Sequence, residues 1–189
     1  MVRPRGAGFC YSSEDFQVME AECRTLTENG ADGIAFGCLN PDASLNEVQI
    51  QRLVSIIKNS GKEAVFHRAF DCCAEPFQTT EKLIKLEIDR ILTSGLKPKA
   101  EEGLDLLRQL NDRYGRRIEF LAGSGVNASN AKRIMEATGL NQVHSSCKDW
   151  IEDGTTIQNG VSYSMISGEK SMCYDVVSAG LVKNLIESV

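Results

Sequence analysis

The sequence has no apolar run that approaches the roughly 18 residues needed to span a bilayer. Its first residues, Met-Val-Arg-Pro-Arg-Gly, also lack the apolar core of a signal peptide. Lysines and arginines form no cluster, and 21 of them stand against 26 acidic residues, for a net charge of −5. We therefore expect no nucleic-acid partner and no membrane partner.

No Cys-x-x-Cys motif occurs, and the seven cysteines are an odd number without the spacing of a small disulfide-rich domain. We interpret them as reduced thiols, which predicts a cytoplasmic location, with the nucleus as a further compartment. The composition is 42% hydrophobic and 25% charged, as in globular proteins. A length of 189 residues suits a single domain, 1–189.

Short apolar segments recur along the chain, and most of them end in a polar residue or a glycine. They end at Phe36, His67, Thr93, Ala122 and His144, and are separated by about 22 to 31 residues, the length of one strand–helix unit. Segments with helical spacing lie between them. We add a first strand at 2–5 and a closing helix at 175–188, and leave 150–168 unassigned. The pattern predicts an α/β protein with a parallel sheet.

Two architectures contain such units: an open doubly wound sheet and a TIM-type βα barrel. The strands are short and polar at their ends, which favours the barrel. A complete barrel takes about 250 residues, whereas this chain provides about six of the eight units. The sequence therefore predicts an incomplete TIM-type barrel.

The run Ala64-Val65-Phe66-His67-Arg68-Ala69-Phe70-Asp71 carries the strongest functional signal. It is a short buried strand whose carboxyl end delivers polar groups, and chemistry in α/β proteins is found at such ends. We predict His67, Arg68 and Asp71 as catalytic residues, with His67 as a general base or metal ligand. In the alternative interpretation, Arg68 and Asp71 pair structurally and His67 is a core residue.

A second group of residues suits an anion. Arg3 and Arg5 could clamp a carboxylate or phosphate, although an ordinary surface pair explains them equally well. A glycine-containing loop late in a barrel is a frequent phosphate site, although a tight turn also explains it. The predicted anion-binding residues are Arg3, Arg5, Thr93, Gly123, Ser124 and Gly125.

Soft metal donors occur towards the end of the chain. His144 and Cys147 have a spacing that allows them to share one ion, and Cys173 adds another donor. We predict these three as a candidate Cu(I) site. The alternative is that the cysteines are small buried apolar residues.

Several of these segments together resemble the CutC family of copper homeostasis proteins. They are Arg3-Pro4-Arg5-Gly6, Gly30-Ala31-Asp32-Gly33, Phe66-His67-Arg68-Ala69-Phe70-Asp71, Ile91-Leu92-Thr93-Ser94-Gly95 and His144-Ser145-Ser146. The resemblance implies a βα barrel in the cytosol that handles copper and binds Cu(I). It also implies that this chain lacks the first two units of the family, and with them the cysteines to which Cu(I) binding is usually ascribed in animal members.

Three functions are consistent with these observations. The first is copper homeostasis, with copper (Cu⁺) bound weakly or only in the full-length form. The second is a lyase-type or isomerase-type barrel enzyme acting on a small phosphate- or carboxylate-bearing metabolite, with the glycine loop and the arginines holding the anion. The third is a truncated isoform without activity. For any of the three we expect a homo-oligomer, since association covers the open strand edges that the missing units leave.

Overall fold

A computed structural model describes residues 1–189 and places five parallel strands in one sheet. They are β1 (Gly33–Phe36), β2 (Glu63–Phe66), β3 (Arg90–Thr93), β4 (Glu119–Gly123) and β5 (Val143–His144). Each strand pairs with the next along the chain, in the order β1-β2-β3-β4-β5. A doubly wound sheet reverses its order at a switch point, whereas a barrel does not. The predicted α/β, TIM-type fold is confirmed, as a sheet that does not close.

Six α-helices accompany the strands: α1 (Ser13–Glu28), α2 (Glu47–Asn59), α3 (Pro76–Lys85), α4 (Leu104–Tyr114), α5 (Ala131–Thr138) and α6 (Ala179–Glu187). The start of α1 is fixed by a capping box between Ser12 and Asp15. None of the helices combines the length and the apolar character that a membrane crossing requires.

Burial alternates along β1, β2 and β3, so that one face of the sheet is fully buried and the other is partly exposed. Ile34, Phe36 and Phe66 are fully buried, and helix residues such as Leu53 and Leu107 are buried with them. The amino-terminal ends of the strands are tied by a carboxylate: Asp89 accepts the Lys58 ammonium at 2.6 Å and the Ala64 amide at 2.6 Å. The polar residues described below lie at the opposite, carboxyl-terminal ends of the strands.

The predicted first strand at 2–5 does not form, so the sheet has five strands. Only one backbone bond links this segment to the sheet, from the Val2 amide to the Ala35 carbonyl at 2.9 Å. Pro4 has no amide hydrogen to continue a ladder. The side chains of Arg3 and Arg5 donate to carbonyl groups between Gly6 and Cys10, which bends the chain away.

The chain divides into two compact units, Met1–Val126 with Arg133–His144, and Asn127–Lys132 with Ser145–Val189. The single-domain interpretation of the sequence stays a prediction. In the second unit, β6 (Lys148–Glu152) pairs antiparallel with β9 (Cys173–Val177), and β7 (Ile157–Gln158) pairs with β8 (Val161–Ser162).

The closing helix is shorter than predicted. Residues 175–177 belong to β9, and α6 begins only after Ser178, whose side chain accepts the Leu181 amide at 3.4 Å. β-branched residues such as Val176 and Val177 favour a strand. Within the unassigned stretch, Asn159 and Gly160 turn the β7–β8 hairpin with positive φ angles of 52° and 80°, as a two-residue hairpin turn requires.

Candidate functional site

The carboxyl ends of β1 and β2 bring Gly37 and His67 together. The His67 amide donates to the Phe36 carbonyl at 2.8 Å, which extends the pairing of the two strands by one residue. A Cβ atom on Gly37 would lie 2.6 Å from both Cε1 and Nδ1 of the His67 ring. Glycine at position 37 is therefore what allows the imidazole to lie against β1.

The hydrogen bonding of His67 defines its protonation state. Nδ1 accepts the Ala69 amide at 3.1 Å, so the ring proton of the neutral form is on Nε2. His67 is 4% exposed, and Nε2 has no hydrogen-bond partner. Burial, with the positive charge of Arg3, lowers the pKa of His67 to about 4. At neutral pH this geometry favours a hydrogen-bond donor over the general base predicted from the sequence.

Other residues from the first segment of the chain surround this imidazole. The Phe9 ring lies 5.0 Å from the His67 ring and 4.9 Å from the Arg3 guanidinium carbon. The electrostatic influence of Arg3 reaches both His67 and Tyr11, and Cys38 also acts on Tyr11. We call these five residues, Arg3, Phe9, Tyr11, Cys38 and His67, the mouth cluster.

Nε of Arg3 and the hydroxyl of Tyr11 are also buried, and neither makes a hydrogen bond of good geometry. The Arg3 side chain lies close enough to the Tyr11 hydroxyl to act on its pKa as a hydrogen-bond donor. The guanidinium of Arg3 uses Nη2 to donate to the Ala7 carbonyl at 2.6 Å. Burial raises the pKa of Tyr11 and raises the pKa of Cys38 to about 12. Both groups are therefore neutral at pH 7, and Arg3 is the charged member of the cluster.

Asp71 lies at the centre of a separate and fully engaged network. Its carboxylate accepts the Thr93 hydroxyl at 2.5 Å and Nε of Arg68 at 2.7 Å. It also accepts the Ser94 amide at 3.0 Å and the Leu96 amide at 3.2 Å. These contacts fasten the loop after β2 to the end of β3. The geometry thus favours the structural interpretation of Arg68 and Asp71, and it engages Thr93 in the same network.

Arg5 is also held by the protein itself. Its Nε pairs with Asp15 at 2.9 Å, and its other nitrogens donate to the carbonyl groups of Gly6, Gly8 and Cys10. Of the two predicted clamp residues, Arg3 therefore has no carboxylate partner, whereas Arg5 is paired with Asp15 and lies over the Tyr11 ring, 5.1 Å from its centroid.

The predicted phosphate loop forms a tight turn after β4. Ser124 and Gly125 have positive φ angles of 86° and 70°. The Ser124 hydroxyl donates to the Pro98 carbonyl at 2.7 Å, and the Ser124 carbonyl accepts the Ala100 amide at 3.0 Å. A Cβ atom on Gly123 would lie 2.5 Å from Leu92. Packing accounts for these residues, and a phosphate-binding role stays a prediction.

The predicted Cu(I) site stays a prediction, and its three residues are divided between the two compact units. His144 is exposed at the end of β5, and Cys147 and Cys173 belong to the second unit. Cys147 precedes Lys148, which pairs with Val177, while Cys173 pairs with Glu152 at the other end of the ladder. Five strand residues separate the two thiols by about 16 Å. No group of three His, Cys, Asp or Glu side chains is arranged to hold a metal ion.

The sequence reasoning missed Phe9, Tyr11 and Cys38. His67 is the first residue after β2, and Cys38 is the second residue after β1. The argument that strand ends carry functional residues could therefore have identified Cys38 as well. The two aromatic residues come shortly after the Arg3-Pro4-Arg5-Gly6 segment. Their approach to His67 depends on how that segment folds back, and no periodic pattern encodes this.

The low pKa of His67 gives a testable dependence of stability on pH. The unfolded chain takes up a proton on this side chain near its ordinary pKa of 6.5, whereas the folded chain does so only near 4. Stability is therefore lost as the pH falls through this range. We expect the native protein to lose about 2 kcal/mol more than His67→Gln between pH 7 and pH 5. Urea unfolding at both pH values measures this, and equal losses in the two proteins would contradict the assignment.

Comparison with known proteins places the chain among its relatives. The model of the CutC family matches residues 1–149. The family protein CutC of Treponema denticola is 39% identical over 163 residues, covering 86% of this chain and 65% of the relative. The family protein CutC of Bacteroides fragilis is 36% identical over 190 residues, which cover 100% of this chain and 75% of the relative.

Solved structures agree with this relationship. A CutC protein from Streptococcus agalactiae, provisionally assigned to copper homeostasis, superposes with a TM-score of 0.71 at 28% identity, covering 76% of this chain and 69% of that one. A structure described as native KDPGal gives a TM-score of 0.52 at 14% identity and covers 97% of this chain and 66% of its own. At this identity the likeness supports the fold alone. The chain spans about two thirds of the length of the first of these curated relatives. With the family model matched over most of its length, this chain belongs to the CutC family.

Proposed function

We propose that this chain binds a small anionic metabolite, bearing a carboxylate or a phosphate, at the mouth cluster. The observation that supports the proposal is the presence of three buried polar atoms without partners: Nε of Arg3, the Tyr11 hydroxyl and Nε2 of His67. Leaving a buried donor unpaired costs about 1–3 kcal/mol. Buried polar groups in native proteins are nearly always hydrogen-bonded, so three such atoms call for a partner, which a bound ligand would supply.

Electrostatics support an anion over a neutral or cationic ligand. Arg3 forms no ion pair with any carboxylate, whereas Arg5 pairs with Asp15 and Arg68 with Asp71. The mouth cluster therefore carries a positive charge that the protein does not neutralise. The proposal is one of binding, because the cluster contains no unoccupied base: His67 offers a proton at Nε2, and Asp71 is fully hydrogen-bonded elsewhere.

Cu(I) binding is the second candidate function, and the provisional assignment of the Streptococcus agalactiae protein to copper homeostasis favours it. Metal ligation requires the thiolate form of cysteine. Burial raises the pKa of Cys23 and Cys73 to about 11 and that of Cys38 to about 12. These thiols are protonated at pH 7, so we expect weak Cu(I) binding.

A thermal melt with added anions tests the first proposal. We expect phosphate or citrate, at saturating concentration and at ionic strength matched with chloride, to raise the Tm by about 6 °C. Arg3→Met should abolish the rise because the charged donor is lost. Arg116→Met is the matched control, since Arg116 is exposed and makes no described hydrogen bond or ion pair. A Tm rise that survives in Arg3→Met would contradict the proposal.

A chelator competition tests the second candidate under reducing conditions. We expect the protein to retain less than one equivalent of Cu(I) against bicinchoninate. One retained equivalent that disappears in Cys147→Ser or Cys173→Ser would instead establish copper binding by the predicted thiols.

A further inference from the structure

We infer that the ligand of the mouth cluster is a small monocarboxylate, whose oxygens take the place of the Phe9 ring beside Arg3, Tyr11 and His67. This inference rests on the proposed anion site and names its ligand class. It follows from the charge of the cluster, from its set of donors and from the position of Phe9.

The charge of the site matches a single negative charge. Among the unpartnered donors, Arg3 contributes the one positive charge, while Tyr11, Cys38 and His67 are neutral at pH 7; the amino group of the chain also acts on His67 but is not one of these donors. A carboxylate neutralises the Arg3 charge, whereas the dianion of a phosphate monoester would bring a second negative charge into a half-buried place. Uncompensated buried charge is strongly unfavourable. Charge balance thus favours the monocarboxylate.

The available donors also fit a carboxylate. Nε–H of Arg3, O–H of Tyr11 and Nε2–H of His67 are three donors, and a carboxylate offers about four lone-pair sites on two oxygens. Only one of the donors is charged. Phosphate sites generally use several cationic side chains or a helix amino terminus, and neither contributes an unpaired donor here.

Phe9 occupies the place where the ligand would lie. Its half-buried ring lies against both the His67 imidazole and the Arg3 guanidinium, and the unpartnered nitrogens of these two residues are buried. The Phe9 backbone is held, because its carbonyl accepts the Leu39 amide at 2.9 Å. Access to the donors therefore requires the side chain to rotate outward, and this rotation lowers the apparent affinity of the ligand.

Binding should be insensitive to pH across the usual range of histidine titration. The groups that act on His67 are the Arg3 guanidinium and the amino group of the chain, and Tyr11 and Cys38 complete the cluster. Burial raises the pKa of Tyr11 and Cys38 and lowers that of His67 to about 4, so these three side chains stay neutral between pH 5.5 and pH 7. A protonated His67 would instead make binding tighter as the pH falls through about 6.5.

Calorimetric titration of the whole chain with acetate, pyruvate and methyl phosphate tests the inference at constant ionic strength. At pH 7, where the phosphate monoester is mostly a dianion, we expect pyruvate or acetate to bind at least tenfold more tightly than methyl phosphate. The Kd of the carboxylate should be the same at pH 5.5 and pH 7. Phe9→Ala should tighten carboxylate binding about threefold or more. Arg3→Met should abolish it, and Arg116→Met should leave it unchanged.

Two variants of His67 separate its donor role from simple packing. His67→Gln retains a neutral N–H donor and should keep affinity within about threefold, whereas His67→Leu should lose about tenfold or more. Circular dichroism shows whether each variant is folded. If His67→Leu does not fold, the affinity of His67→Gln is compared with that of the native protein.

The outcomes distinguish the inference from the proposed function. Arg3-dependent binding that favours methyl phosphate would overturn the monocarboxylate and leave the anion site standing. No binding of any of the three anions, to the native chain or to Phe9→Ala, would overturn both. Carboxylate binding unchanged by Arg3→Met would also overturn both, because the anion would then bind elsewhere.

Discussion

Asp71→Ala is expected to lower the free energy of unfolding by about 3 kcal/mol, which is a large fraction of the stability of a typical domain. The carboxylate is 8% exposed and accepts bonds from the Arg68 and Thr93 side chains and from the Ser94 and Leu96 amides. Its removal leaves all of these donors without their acceptor. Urea denaturation at pH 7, followed by circular dichroism, measures the loss.

Asp105→Ala is the matched control for this prediction. Asp105 also pairs with an arginine three residues along the chain, but its side chain is 89% exposed. Exposed pairs contribute little, so we expect a change within about 0.5 kcal/mol. If Asp71→Ala were as mild as this control, the network around Asp71 would not be what joins the loop after β2 to β3.

Gly37→Ala is expected to destabilise the protein by about 3 kcal/mol, the upper part of the range for overpacking. The added methyl group would lie 2.6 Å from Nδ1 of His67 and 2.7 Å from the Cβ of Ala69. Because Gly37 and Ala69 both lie on held backbone, the imidazole is the group that must move. We expect it to lose its bond with the Ala69 amide and to become accessible to solvent.

Denaturation together with nuclear magnetic resonance of the imidazole nitrogens checks both parts of this prediction. The pKa of His67 should rise from about 4 towards its ordinary value as the ring becomes solvated. Gly154→Ala is the control, since nothing lies within 4 Å of a Cβ atom at that position. A Gly37→Ala protein with native stability and an unchanged His67 pKa would show that the contact is not tight.

The strand positions were largely predictable from the sequence, and the reason is physical. The strands are short, largely apolar segments that recur at the spacing of one strand–helix unit, so the predicted ends at Phe36, His67 and Thr93 agree with the structure to within one residue. The segment at 2–5 misled the prediction because its apolar and polar residues fit a strand. The arginine contacts that bend it involve carbonyl groups of the following loop.

The candidate site was only partly predictable. Location at the strand ends identified His67 and Arg3, which the structure brings into one cluster. Sequence could not decide between a functional and a structural Asp71, because its partners Thr93, Ser94 and Leu96 lie more than 20 residues away along the chain. The protonation state of His67 depends on the burial of Nε2 and on the Ala69 amide, which only the folded chain defines.

The pairing of each strand with its successor has a consequence for how the protein forms. Partners such as Phe36 and Phe66, or Ile91 and Phe120, are only about 30 residues apart. Because the entropy cost of loop closure grows with loop length, each of these pairings costs less entropy than a pairing of more distant segments would. During synthesis each new strand can add to the edge left by the one before it, in the order of translation. Once residue 96 has emerged from the ribosome, Asp71 can form the hydrogen bonds that join the loop after β2 to the end of β3.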